Sequence, residues 1–195
     1  MNFDYAIAQV DDTENRTENS TRIAERLARH GIFWMAGFNS VVTSWLKAEE
    51  KAGNLQLKKL KNSYSLPDTA SFDRQVAAFV EQFRGTGNLL AYYLSDEIAQ
   101  GKAQDGKLPT GYQLANHLYG LVKSLDAKHP AMNLISPHFT DYKTAAQYLK
   151  TDFVSWDKYL IGAKGIANDL DQVRKCFGNE RIFWLTLRAS GPFWY

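Results

Sequence analysis

The sequence predicts an α/β fold, an incomplete (β/α)8 TIM-like barrel of about seven βα units in which the eighth strand is missing. Three observations carry this. Short apolar runs alternate with amphipathic helical stretches along the chain, the pattern of βα units and a parallel sheet. The loop after the first run, Asp11-Asp12-Thr13-Glu14, is acidic and lacks glycine, and neither GxGxxG nor a Walker A pattern occurs, which disfavours a doubly wound nucleotide-binding sheet. The chain has 195 residues, where a complete barrel takes about 250. A single partial-barrel domain over residues 1–195 follows.

The elements are read in chain order. Phe3 to Gln9 is the first strand, and residues 20–35 are a helix with Ile23, Leu27, Trp34 and Met35 near one face. The β-branched run Ser40 to Trp45 reads as the second strand, and a Lys- and Glu-rich helix over 46–59 is broken at Gly53. Leu60 to Leu66 is the third strand. Residues 70–84 form a helix whose Phe72, Val76, Phe79, Val80 and Phe83 make one stripe, ended by Gly85 and Gly87. Leu89 to Ser95 is the fourth strand. Thr110-Gly-Tyr-Gln113 reads as a capping box opening the next helix. Met132 to Ser136, Phe153 to Asp157 and Ile182 to Leu187 are strands five to seven, separated by helices over 141–150 and 166–177.

Composition narrows the function classes. A 45% hydrophobic and 23% charged chain can bury a core and is not disordered. A net charge of +2 is too balanced to indicate nucleic acid or an anionic membrane as partner. No apolar run reaches the roughly 18 residues of a membrane span. The first residues show no signal-peptide pattern, and the compartment stays undetermined. Cys176 is the single cysteine, set within a helix, so no intrachain disulfide forms. No His/Cys/Asp spacing reads as a metal site, and no cofactor is expected. The exposed sheet edge of an unclosed barrel would be a route to association.

Chemistry in a β/α barrel sits at the C-terminal ends of the strands. The residues there are carboxylates, aromatics, a histidine and an arginine: Trp45, Tyr64, Asp96, Glu97, His138, Asp157, Tyr159 and Arg188. Among them, Asp96-Glu97 closes the aromatic-rich run Leu89-Leu90-Ala91-Tyr92-Tyr93-Leu94-Ser95. Two adjacent acids at a strand end do nothing for packing. They serve either as a catalytic pair or as a solvated turn. His30, His117 and His129 read as surface or helix-end residues.

Four segments resemble the catalytic barrel of retaining glycoside hydrolases of the β-galactosidase and cellulase superfamily. They are Ala36-Gly-Phe-Asn-Ser-Val-Val-Thr43, Leu90 to Glu97, Phe153-Val-Ser-Trp-Asp-Lys-Tyr159 and Phe183-Trp-Leu-Thr-Leu187. The resemblance covers most of residues 20–190. It implies a carbohydrate substrate, with Glu97 at the end of strand four as general acid/base. The residue before that acid is usually Asn in the superfamily; here Asp96 stands there, and its charge would raise the proton affinity of Glu97. The superfamily nucleophile, a Glu at the end of strand seven, has no counterpart in Leu185-Thr-Leu-Arg188.

The second carboxyl must then come from elsewhere. Asp157 is the candidate, and it reads equally as a structural residue or a ligand for a substrate hydroxyl. Trp45, Tyr64 and Tyr159 are candidates to stack on sugar rings, and His138 to donate to a hydroxyl. Arg188 could pair with one of the acids or bind a carboxylated or sulfated sugar. Two alternatives to a hydrolase remain open here: a non-catalytic carbohydrate-binding barrel without the strand-seven nucleophile, and an unrelated barrel enzyme that anchors an anionic substrate on Arg188.

Overall fold

The computed structural model describes residues 5–9, 14–136, 140–158, 163–178 and 183–187. In these residues six strands form one all-parallel sheet: β1 (Tyr5–Gln9), β2 (Phe33–Gly37), β3 (Leu89–Asp96), β4 (Ala131–Ile135), β5 (Phe153–Lys158) and β6 (Phe183–Leu187). Six helices alternate with them: α1 (Glu14–Arg29), α2 (Asn39–Lys51), α3 (Ala70–Phe83), α4 (Thr110–Leu125), α5 (Tyr142–Tyr148) and α6 (Ala163–Phe177). A short 3-10 helix, Leu57–Asn62, lies between α2 and α3.

The strand order is sequential, β1 to β6, with no reversal. Right-handed crossovers that always step in one direction place every helix on the same face. A doubly wound sheet needs a reversal to cover both faces. The topology is therefore that of part of a β/α barrel.

Side-chain alternation confirms two faces. Trp34, Ala36, Tyr92, Leu94, Ala131, Ile135, Val154 and Trp156 join the helices in one large buried cluster. Met35, Ala91, Tyr93, Met132, Leu134 and Phe153 form a second cluster on the opposite face, the barrel interior. The expected stripe on α3 is buried throughout, from Phe72 to Phe83. It packs against α2 and α4, with Phe38 against Phe79 at 4.3 Å and Trp45 against Phe72 at 5.1 Å between ring centroids.

The N-terminal third departs from the expected elements. Helix α1 ends at Arg29, where the His30-Gly31 turn stops it with the Ile32 amide on the Leu27 carbonyl. Trp34 and Met35, assigned to that helix, are instead successive strand residues that project to opposite faces. Residues 40–45 are helical, not a strand: Val41, Val42, Trp45 and Leu46 make the buried stripe of α2. Burial of that stripe outweighs the weak β preference of valine and threonine. No strand forms over Leu60 to Leu66, so β2 pairs directly with β3. The acidic pair consequently ends the third strand of the sheet.

Trp45 shows why its expected role fails. It is 2% exposed within the α2–α3 packing, away from any strand end, so it cannot stack on a ligand. Its indole N–H is buried with no hydrogen-bond partner, whereas Trp34, equally enclosed, donates its N–H to the Gly87 carbonyl at 3.1 Å. Leaving a buried donor unpaired costs about 1–3 kcal/mol, comparable to the packing lost on Trp→Phe. Trp45→Phe is therefore expected to change stability by less than about 1 kcal/mol, and Trp34→Phe to cost clearly more. Urea unfolding of both variants checks the order.

Candidate functional site at the strand C-termini

The register between β3 and β4 slips once. Tyr93 pairs with Met132, but the next pair is Ser95 with Asn133, leaving Leu94 as an extra residue. Such a bulge changes which side chains face which way. Simple alternation from Tyr93 would place Ser95 in the interior phase. After the bulge, Asp96 takes that place beside Leu134, a member of the interior cluster. Ser95 is instead buried with its hydroxyl donating to the Asn133 side-chain oxygen at 2.7 Å. Asn133 is held in turn by the Lys150 carbonyl at 3.2 Å. The bulge thus brings an exposed carboxylate to the interior rim and buries the neutral residue before it.

Glu97 follows with φ of 51°, a left-handed conformation that is rare for residues other than glycine. It is half-buried. Several contacts hold the turn. The Gln100 amide donates to the Glu97 carbonyl at 2.9 Å. The Ile98 carbonyl lies so close to Gly111 in the first turn of α4 that a Cβ there would overlap it. Thr140 donates its hydroxyl to the Ala99 carbonyl at 3.2 Å and accepts from the Ser136 amide at 3.2 Å, which ties the end of β4 to the loop after β3. Gly101, at φ of 84°, bridges to Thr140 and sits against the Lys61 backbone with no room for a Cβ.

The capping box expected at Thr110 and Gln113 does not form. The helix begins directly after Pro109, and Gln113 donates its amide to the Tyr64 carbonyl at 2.9 Å and the Leu108 carbonyl at 2.7 Å. Thr110 donates its amide to the Ser63 carbonyl and its hydroxyl to the Ser65 carbonyl. Tyr64 is thus not at a strand end. Its segment is nevertheless fastened beside the loop that follows Glu97, and the tyrosine itself is half-buried.

Asp157 lies in β5 opposite Thr186 of β6. The register line through Asp96 and Leu134 meets β5 at Ser155, two residues before it. Two strand spacings and two residue rises separate the backbones of Asp96 and Asp157 by about 12 Å. His138, Tyr159 and Arg188 lie outside the described residues. Among the described residues, no three His, Cys, Asp or Glu side chains are grouped to hold a metal ion, and no helix is long and apolar enough to cross a membrane.

A second polar cluster lies at the opposite, N-terminal end of the strands, where conserved chemistry is not expected but stability is set. The Asp126 carboxylate accepts from the Tyr92 hydroxyl at 2.9 Å, contacts His129 Nδ1 at 2.7 Å and accepts the Lys128 and His129 amides. His129 is therefore part of a largely buried pair and not a surface residue. His117 similarly meets Asp73 at 2.6 Å, joining α4 to α3. Burial pushes the Asp126 carboxyl up, but hydrogen bonds from His129 and Tyr92 outweigh it and hold the group below its ordinary value of 3.8. Burial, then the Asp126 hydrogen bond, pushes the Tyr92 hydroxyl well up.

A carboxyl whose folded pKa is depressed adds stability above its unfolded pKa and loses it as pH falls through the folded value. The stability advantage of the wild type over Asp126→Asn is thus expected to shrink between about pH 5 and about pH 3. Denaturant unfolding across that range checks it; an advantage constant with pH would show that the ionised form contributes nothing.

Comparison with protein-family models and with curated proteins finds no match. Solved structures do match. In fold, the chain is similar to glycoside hydrolases. A cold-adapted beta-galactosidase from Rahnella sp. R3 aligns over 79% of this chain at 12% identity, with a TM-score of 0.52. A beta-glucuronidase from Bacteroides uniformis aligns over 88% at 12% identity, with a TM-score of 0.50. The chain spans 33% of the first protein and 19% of the second. At such identities the likeness is one of fold, and it agrees with the sequential parallel sheet.

The residues that sequence reading missed are those that hold the acidic turn: Gln100, Gly111 and Thr140. A glycine in the first turn of a helix is the one visible signal, since glycine there often marks a close backbone approach.

Proposed function

We propose that the strand C-termini form a carbohydrate site in which Glu97 is the general acid/base for hydrolysis of a glycosidic bond. The observation that carries this reading is the Asp96-Glu97 turn itself. A bulge places its first acid on the interior rim, and a clamped left-handed turn presents the second. Backbone conformations of this kind persist only where their surroundings hold them, and they concentrate at functional sites. The fold similarity to a beta-galactosidase and a beta-glucuronidase supports the substrate class.

In this reading Glu97 gives its proton to the leaving-group oxygen as the glycosidic bond breaks. The adjacent Asp96 charge favours the protonated form needed for that step. Asp157 is the second carboxyl. Two carboxyls about 6.5–9.5 Å apart give inversion, with one acting as base on water, and about 5 Å apart give retention, so the anomer first formed reads the separation of Glu97 and Asp157. Tyr64 and Tyr159 would line the site as sugar-stacking residues, and His138 and Arg188 would contact substrate hydroxyl or carboxylate groups.

The test is release of p-nitrophenol from p-nitrophenyl β-galactoside and β-glucuronide, with NMR following the anomer first formed. Turnover supports the pair, inversion giving the wider carboxyl separation and retention the closer one. Sugar binding without turnover replaces the hydrolase reading with a carbohydrate-binding barrel, which the absence of a carboxylate at Leu185-Thr-Leu-Arg188 would then explain.

A further inference from the structure

We propose that Thr140 and Gln100 are positioning residues for Glu97, gripping its turn from two sides and making its geometry depend on the end of the neighbouring strand. This rests on the reading of Glu97 as the acid/base. Thr140 is 7% exposed and belongs to neither β3 nor β4. Its hydroxyl donates to the Ala99 carbonyl, two residues after Glu97, and accepts from the Ser136 amide just past β4. One buried hydroxyl therefore spans two strand ends. Its backbone amide also donates to the Ser136 carbonyl at 2.9 Å, a second tie from Thr140 to the end of β4.

The surrounding contacts run in the same direction. Gly101 bridges to Thr140, the Ala103 amide donates to Thr144 at 3.4 Å, and Lys102 lies 3.8 Å from the Asp141 carboxylate. Asp141 in turn caps α5 by accepting from the Thr144 amide at 2.9 Å. The loop after Glu97 is thereby laid along the start of α5. From the other side, Gln100 reaches back to the Glu97 carbonyl. A left-handed glutamate is conformationally costly, so it keeps its angle only while such contacts persist. Loss of either grip is expected to shift the Glu97 backbone, and the carboxyl with it, without touching substrate.

Thr140→Val keeps the volume and removes the hydroxyl; Thr140→Ser keeps the hydroxyl. With an alkyl β-glycoside as substrate, whose leaving group needs protonation, Thr140→Val is expected to lower kcat about 10- to 100-fold with KM changed less than about twofold, because a small misplacement of a catalytic group acts on the reacting step. Thr140→Ser is expected to restore most of kcat. A parallel readout needs no turnover: the NMR signals of the Glu97 amide and side-chain carboxyl should move in Thr140→Val and return in Thr140→Ser.

Signals that stay in place, or that move equally in both variants, overturn the positioning role. A wild type that turns over nothing, while Glu97 signals still move in Thr140→Val only, overturns the catalytic reading and leaves the positioning intact. If Thr140→Val does not fold, Gln100→Leu reads the same coupling through the second grip. It is expected to shift the Glu97 signals, and unshifted signals overturn the proposal.

Discussion

Glu97→Gln is expected to lower kcat/KM for glycoside hydrolysis by about 10²- to 10⁴-fold, the usual contribution of a positioned general acid or base. Gln is close in size and keeps the half-buried turn intact, so unfolding is not an explanation for the loss. Its amide has no proton of suitable acidity to give. The loss should depend on the leaving group. An alkyl or sugar alcohol needs protonation as the bond breaks, whereas p-nitrophenolate leaves readily without it. Glu97→Gln should therefore impair alkyl glycosides more than p-nitrophenyl glycosides, and the basic limb of the pH–rate profile should vanish. Equal losses on both substrates would assign Glu97 to another role, and an unchanged rate would remove it from the mechanism.

Gly111→Ala is expected to destabilise the protein by about 1–3 kcal/mol, the usual cost of forcing extra volume into a closed contact. This opposes intrinsic preference, because alanine is better than glycine in a helix by about 1 kcal/mol. The reason is local. A Cβ at residue 111 would overlap the Ile98 carbonyl oxygen, a backbone atom that cannot rotate away. Gly120 on the same helix is the control. A Cβ there meets open space, so Gly120→Ala should stabilise by about 0.4–1 kcal/mol. Thermal or urea unfolding of the two variants reads the contrast, and a stabilising Gly111→Ala would mean that α4 and the Ile98 turn are not in contact. Because Ile98 follows Glu97 directly, Gly111→Ala should also reduce hydrolysis beyond its effect on the folded fraction.

These expectations draw unequally on sequence and structure. The buried stripe of α3, the amphipathic pattern of α4 and the apolar strands from β3 onward were legible, because periodicity follows from which face is buried. Residues 33–37 and 40–45 were not. Trp34 and Met35 fit a helical stripe as readily as a strand, and Val41-Val42-Thr43 fits a strand as readily as a helix. Short apolar runs carry no period long enough to decide, and here packing against the sheet and against α3 decided. Reading 40–45 as a strand likewise puts Trp45 at a strand end, whereas it lies in the core.

The acids of the candidate site were found by their position after an aromatic strand. The groups that hold them were not, since Gln100, Gly111 and Thr140 meet the Asp96-Glu97 loop only through folding.

The sequence by itself determined a βα succession, an acidic pair closing one strand, and a chain without nucleotide-binding glycines. Those are properties of neighbours along the chain, where local sterics and burial periodicity act. Only the tertiary structure decided that β2 and β3 are adjacent, that a bulge at Leu94 turns Asp96 rather than Ser95 to the interior, and that Glu97 is held left-handed. Each of these depends on pairing with a strand or loop remote in sequence. A one-residue slip in register reverses every side chain after it, and no local pattern of residues records that slip.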